Sequence, residues 1–98
     1  MENWIQKVRY LPDNSAIEAV KYSPADKPNS ILLTMLVSEV VESIRKGGVY
    51  YTARRRHPND HLPVRGAQVI LTTDGKFITT APTNNTLDNL ENLPRFIT

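Results

Sequence analysis

Residues 34–56 read T-M-L-V-S-E-V-V-E-S-I-R-K-G-G-V-Y-Y-T-A-R-R-R, and this stretch decides the fold. It predicts an amphipathic helix, a glycine stop and a strand that ends in three arginines. The apolar residues of the helix recur at spacings of three and four, which places them on one face; they are Leu36, Val37, Val40, Val41 and Ile44. Thr34 and Ser38 are the two candidates for the N-cap. Gly47 is predicted to close the last turn in the left-handed conformation.

After the glycines the pattern changes to a period of two, which is typical of a strand. One face takes Val49, Tyr51 and Ala53, and the other takes Tyr50, Thr52, Arg54 and Arg56. The apolar face of the helix is predicted to pack on the sheet to which this strand belongs.

The flanking sequence predicts four more strands, at residues 4–11, 16–22, 67–73 and 77–81. The first two form an antiparallel hairpin, and the first has Trp4, Val8 and Tyr10 on one face and Lys7 and Arg9 on the other. Asp74-Gly75 is a strong hairpin signal between the last two strands. Residues 31–33 either extend the helix backwards or form a short extended segment that leads into it.

Leu87, Leu90 and Leu93 recur every three residues, which predicts a short helical turn capped by Thr86. The chain is therefore predicted to be one α+β domain spanning residues 1–98, with the order β-β-α-β-β-β. One helix packs on one face of a mostly antiparallel sheet. The other face is solvated, closed into a partial barrel, covered by the tail or paired with another copy.

The 98 residues contain no cysteine, which excludes a disulfide framework, a thiolate metal site and a cysteine nucleophile. The N-terminus lacks the basic and apolar segments of a signal peptide. The longest apolar stretch is far too short to span a bilayer. We therefore expect a soluble cytoplasmic protein without a membrane partner.

Three segments resemble an uncharacterised family of small bacterial domains, a domain of unknown function. They are S-E-V-V-E-S-I-R-K-G-G-V-Y-Y-T at 38–52, K-F-I-T-T at 76–80 and N-N-T-L-D-N-L-E-N-L-P at 84–94. The D-N-L-x-x-L-P signature is the distinctive part. The resemblance implies a compact α+β fold and a bacterial cytoplasmic setting, and it implies no activity, cofactor or catalytic residue.

Charge is concentrated in residues 45–65, which hold six bases and one acid, a net charge of +5. Tyrosine rings beside guanidinium groups are suited to single-stranded nucleic acid, because rings stack on bases and cations pair with phosphates. The predicted nucleic-acid-binding residues are Tyr50, Thr52, Arg54, Arg55, Arg56 and Lys46. In the alternative interpretation Tyr50 packs under the tail and the arginines are a solvated strand end.

Other chemistry has little support in the sequence. His57 and His61 flank Asp60, but neighbouring prolines predict a loop and no third protein ligand is suggested, so we predict no metal site. No catalytic residue, cofactor or small-molecule substrate is predicted, and the chain is not expected to be an enzyme. Two functions stay open: a binding module for a polyanion such as nucleic acid, and a structural or interaction domain that forms a homodimer through the uncovered sheet face.

Overall fold

The computed structural model describes residues 2–57, 59–82 and 86–97, with only the backbone of Thr86. The strands are β1 (Glu2–Tyr10), β2 (Ile17–Pro24), β3 (Leu33–Leu36), β4 (Val49–Arg54), β5 (Val64–Leu71) and β6 (Ile78–Thr80). Helix α1 spans Val37–Arg45, and two 3-10 turns follow at Thr86–Asp88 and Leu90–Asn92. The chain forms a compact single α+β domain.

The six strands form one sheet in the order β3-β2-β1-β4-β5-β6. Strands β1 and β4 run parallel, and every other neighbouring pair is antiparallel. Because β2 is antiparallel to both β3 and β1, strand β3 is parallel to β4. Helix α1 therefore joins two parallel strands by crossing over β2 and β1, and the predicted mostly antiparallel sheet with one helix is confirmed.

Strand β3 was not predicted, and it changes the start of the helix. Val20 pairs with Met35 in the β2–β3 ladder, so residues 33–36 are extended. Leu36 is the N-cap and makes no side-chain cap bond; the Glu39 carboxylate accepts its backbone N–H at 3.0 Å. The predicted caps, Thr34 and Ser38, are therefore wrong, and Leu36 belongs to the strand. An extended segment does precede the helix, because pairing with β2 overrides local periodicity.

The helix stop and the β5–β6 hairpin are confirmed. Gly47 has φ +97°, and its N–H bonds to the Ile44 carbonyl at 3.0 Å, so the chain leaves the helix in a conformation that favours glycine. At the Asp74-Gly75 turn, the N–H of Thr72 donates to the Phe77 carbonyl at 2.9 Å. Arg45 reaches across from the helix end and donates to the Gly75 carbonyl at 2.7 Å.

One face of the sheet, here called the covered face, holds the core. Val37, Val40 and Val41 of α1 pack on strand residues such as Ile5 and Tyr50. Leu90 and Leu93 of the tail complete the same cluster, and Ile44 is half-buried beside it. Helix and 3-10 turns therefore share one face. The opposite face, here called the open face, carries no helix among the described residues, but the loop after β2 reaches it, where the Pro28 carbonyl accepts from Gln6 Nε2, and Ser23 and Ala53 are buried there.

The tail is also joined to the sheet by its backbone. Strand β4 pairs with β1 only along residues 2–5 of β1, and the two strands separate beyond Ile5. Beyond that point the N–H of Val8 donates to the Pro94 carbonyl, and the N–H of Phe96 donates to the Val8 carbonyl, both at 3.0 Å. The tail thus takes the position that β4 leaves. The predicted helical turn is present, and the side chain of Thr86, its predicted cap, lies outside the described residues.

Candidate nucleic-acid interface

Tyr50 and Tyr51 are adjacent in β4 and point to opposite faces of the sheet. Tyr50 is 1% exposed, and its hydroxyl donates to Ser43 Oγ of α1 at 3.0 Å. Its predicted exposure beside the arginines is therefore wrong, because the helix covers the face that carries Tyr50. The strand period predicts which residues share a face, but it does not predict which face the helix takes.

Thr52 is also buried, against the tail. Its hydroxyl donates to the Asp88 carbonyl at 2.6 Å and accepts the N–H of Ala67 at 3.0 Å. A Cβ at Gly66 would lie 2.7 Å from Thr52 Oγ1 and 2.8 Å from Asp88 Cγ, so the close approach of the tail requires glycine there. The predicted exposure of Thr52 is likewise wrong, and its role in the structure is to anchor the tail.

Two of the three consecutive arginines turn toward the Asp88 carboxylate. Arg54 Nε lies 3.0 Å from Asp88 Oδ1, and the two side chains are 18% and 7% exposed. Arg56 Nη2 lies 3.8 Å from Asp88 Oδ2. The nearly buried Asp88 carboxylate therefore neutralises part of the positive charge of the three arginines. No sequence pattern had linked Asp88 to them.

The remaining predicted residues lie apart from this group. Arg55 Nε donates to the Asp60 carbonyl at 3.2 Å and so braces the following loop. Lys46 is exposed at the end of α1, 3.8 Å from Glu42 of the same helix. The structure thus brings Thr52, Arg54 and Arg56 together, but it does not place Tyr50 or Lys46 on a common surface with them.

The open face carries another set of aromatic and basic residues. One part of this set centres on Tyr51. Trp4 is directly opposite Tyr51 in the β1–β4 pair, and both rings are partly exposed. The guanidinium carbon of Arg65 lies 4.6 Å from the centre of the Tyr51 ring. Glu2 accepts from Trp4 Nε1 at 2.7 Å and lies 3.7 Å from Arg65 Nη1.

The second part centres on Phe96 of the tail. The centre of the Phe96 ring lies 5.3 Å from the guanidinium carbon of Arg9 in β1 and 5.1 Å from Lys21 Nζ in β2. Arg9 also pairs with Glu18 at 3.4 Å. Lys7 is exposed and stands opposite Lys21 in the β1–β2 register. Two positions therefore place a partly exposed ring next to one or two cations.

We call this set the open-face cluster: Trp4, Tyr51 and Phe96 with Lys7, Arg9, Lys21 and Arg65. Its four bases are accompanied by two acids, Glu2 and Glu18. Sequence reasoning missed it because its residues come from four strands and the tail, so no run of charge reveals it.

A β-bulge in β1 explains why the sequence pattern placed Trp4 on the wrong face of the sheet. The β1–β2 register shifts between Ile5 and Lys7, which leaves Gln6 as an extra residue. The shift puts Trp4 on the face of Lys7 and Arg9, whereas strict alternation grouped Trp4 with Val8 and Tyr10. Gln6 Nε2 donates to Ser23 Oγ at 2.9 Å and to the Pro28 carbonyl at 3.0 Å, which satisfies the buried amide of the bulge.

The histidine-bearing loop is held by its own hydrogen bonds. The Asp60 carboxylate accepts the backbone N–H of His57 at 3.1 Å. Across residues 2–57, 59–82 and 86–97, no group of three or more metal-ligating side chains could hold an ion.

A cavity of about 780 Å³ lies at the end of the covered face. It opens between the tip of the β1–β2 hairpin, strand β6 and the second 3-10 turn. Tyr10, Ile17, Phe77 and Leu90 give it apolar walls, and Glu91 is its one lining carboxylate among the described residues. The lining offers apolar contacts and several threonine hydroxyl groups.

Comparison with known proteins adds no family to this description. No family model, no curated protein and no solved structure matches the chain. The resemblance to a bacterial domain of unknown function therefore stays a prediction. In the described part of the chain, no helix has the length and apolarity needed to cross a membrane.

Proposed function

We propose that this protein is a non-enzymatic module that binds single-stranded nucleic acid through the open-face cluster. The observation that carries the proposal is the alternation of partly exposed rings and cations on a sheet face that no described helix covers. Trp4, Tyr51 and Phe96 offer stacking surfaces, and the cations beside Tyr51 and Phe96 offer phosphate contacts. A bacterial cytoplasmic setting, as the resemblance implies, is part of the proposal.

The cation–ring geometry favours single strands over duplexes. A base in a single strand has a free face that can stack on a ring or on a guanidinium plane, whereas the bases of a duplex are already stacked. In the unbound protein Arg65 lies over Tyr51, and Lys21 lies beside Phe96. An incoming strand can pair its phosphates with these cations while its bases stack beside them.

The arginine run is the competing surface for the same ligand. Arg54 and Arg56 face Asp88, so their charge is partly neutralised. The open face has the same ratio of bases to acidic partners, four to two, but its cations lie beside the partly exposed rings of Tyr51 and Phe96, whereas Tyr50 is buried. We therefore place the main contact on the open face and assign Arg54, Arg55, Arg56 and Lys46 at most a peripheral contribution.

Trp4 makes a direct test possible, because it is the only tryptophan in the chain and belongs to the open-face cluster. Titration with an oligothymidylate at low salt should quench its fluorescence and raise the anisotropy of an end-labelled strand. Counterion release predicts that the logarithm of the binding constant falls linearly with the logarithm of the salt concentration. A duplex of equal length should bind more weakly.

Two double variants separate the candidate surfaces. Lys21→Ala/Arg65→Ala removes two charges from the open face and should abolish binding at moderate salt and lower the salt slope by about two phosphate contacts. Lys46→Ala/Arg56→Ala removes the same charge from the originally predicted patch and should leave affinity nearly unchanged. The reverse pattern would move the site to the arginine run, and no binding by the wild type at low salt would refute the proposal.

A further inference from the structure

The two edges of the sheet differ in how they are protected from pairing with another chain. Strand β6 has three residues, follows Lys76 closely and is followed by Pro82. Charged residues and proline are the usual protection of an edge strand. Strand β3 has neither: residues 29–38 read N-S-I-L-L-T-M-L-V-S, with no charge and no proline.

The β3 edge is also where exposed aliphatic side chains collect. Ile31 is 89% exposed, and Leu33 and Leu36 are each about half exposed. Leu33 stands on the covered-face side and Leu36 on the open-face side, as their partners Tyr22 and Ala19 show. The edge is therefore apolar on both sides of a strand that has no further strand on its outer side within the described part of the chain.

From this edge we infer that the protein forms a homodimer in which β3 pairs antiparallel with β3 of a second copy. A second copy fits because the strand is self-complementary: a register centred on Thr34 puts Leu33 opposite Met35 and Leu32 opposite Leu36 of the other chain. Partners then share a face, as antiparallel pairing requires, and apolar side chains meet on both sides.

Charge favours this edge over the open face as the contact between copies. Face-to-face association would bring two sets of the cations Lys7, Lys21 and Arg65 together, and like charges repel. The neutral β3 edge has no such cost. A two-fold axis perpendicular to the sheet also leaves both open faces on the same side, as one continuous twelve-stranded surface.

Sedimentation and light scattering of the full chain, from micromolar to millimolar concentration, test the dimer. The wild type should shift from the monomer mass to twice that mass. Leu33→Lys places a charge on the edge and should remain monomeric with an unchanged circular dichroism spectrum. Leu62→Lys is the matched control, because Leu62 is 51% exposed against 52% for Leu33 but lies in the loop before β5; this variant should dimerise like the wild type.

The absence of native cysteine allows a second test of the pairing itself. In the Thr34-centred register the two Thr34 Cα atoms are about 4.5 to 5.5 Å apart, within the range of a disulfide. Thr34→Cys should form a covalent dimer on mild oxidation, whereas Thr79→Cys, exposed on the opposite edge, should not. A monomeric wild type at every concentration, a dimeric Leu33→Lys variant, or equal crosslinking of the two cysteine variants would overturn the inference.

Discussion

The two faces of this sheet use the same residue types for different purposes. On the covered face Tyr50 is packed under α1 and bonded to Ser43, and Arg54 is held by Asp88. On the open face Tyr51 lies under Arg65 and remains partly exposed. A tyrosine or an arginine is therefore informative only when the side of the sheet is known. The same residue types are bonded within the fold on one side and stay partly exposed on the other.

The adjacent tyrosines give the largest expected contrast. Tyr50→Ala removes a buried ring and should cost about 3 to 5 kcal/mol of unfolding free energy, as large-to-small core substitutions do. Tyr51→Ala should change stability far less and should weaken nucleic-acid binding instead. Urea denaturation and oligonucleotide titration of both variants measure the contrast. Equal losses of stability would mean that the faces are not distinct.

Two isoleucines allow the same comparison of the two faces with aliphatic side chains. Ile5 is fully buried on the covered face, whereas Ile70 pairs with Thr79 on the open face and is half-buried. Ile5→Ala should cost about 2 to 5 kcal/mol, and Ile70→Ala should cost clearly less because its side chain already contacts water. Thermal and urea unfolding of the two variants check this. A larger effect at Ile70 would contradict the assignment of faces.

The arginine run offers a smaller contrast between neighbours. Arg54→Ala leaves the nearly buried Asp88 carboxylate without its closest partner and should cost about 1 to 3 kcal/mol. Arg55 is exposed and braces a loop, so Arg55→Ala should stay within about 0.5 kcal/mol of the wild type. Chemical denaturation resolves the two. If Arg54→Ala were as stable as Arg55→Ala, the tail would not depend on the Asp88 contact.

The turn between β5 and β6 belongs to neither face, and substitutions in it should have the smallest effect on stability. The Thr72 hydroxyl and then the Lys76 backbone N–H donate to the Asp74 carboxylate and lower its pKa below the ordinary value of 3.8. Since the pKa is lower in the folded state, the contribution to stability is complete above about pH 3.8 and is lost as the pH falls through the folded value.

Melting temperatures measured against pH test this sign. Asp74→Ala should melt slightly below the wild type at neutral pH, and the difference should shrink in acid. Asp74→Asn keeps a side-chain acceptor without an ionisable group, so its melting temperature should lack this acid step. A difference between wild type and Asp74→Ala that grows in acid would reverse the assigned direction.

The sequence by itself determined the elements whose signals are local. The helix face, the Gly47 stop, the period of β4 and the Asp74-Gly75 turn follow from spacing and backbone preference, which act within a few residues. The same rules predicted correctly that Tyr50, Thr52 and Arg54 share a face. They also predicted an α+β domain with a short C-terminal helical turn.

Only the tertiary structure decided which face the helix covers, because either face of β4 could have received it. Strand β3 depends on the free edge of β2, and the displacement of Trp4 depends on the bulge at Gln6 in the β1–β2 register. Asp88 meets Arg54 across 34 positions of sequence, a distance over which no local pattern operates. Contacts distant in the chain therefore determined which aromatic rings are buried and which remain partly exposed.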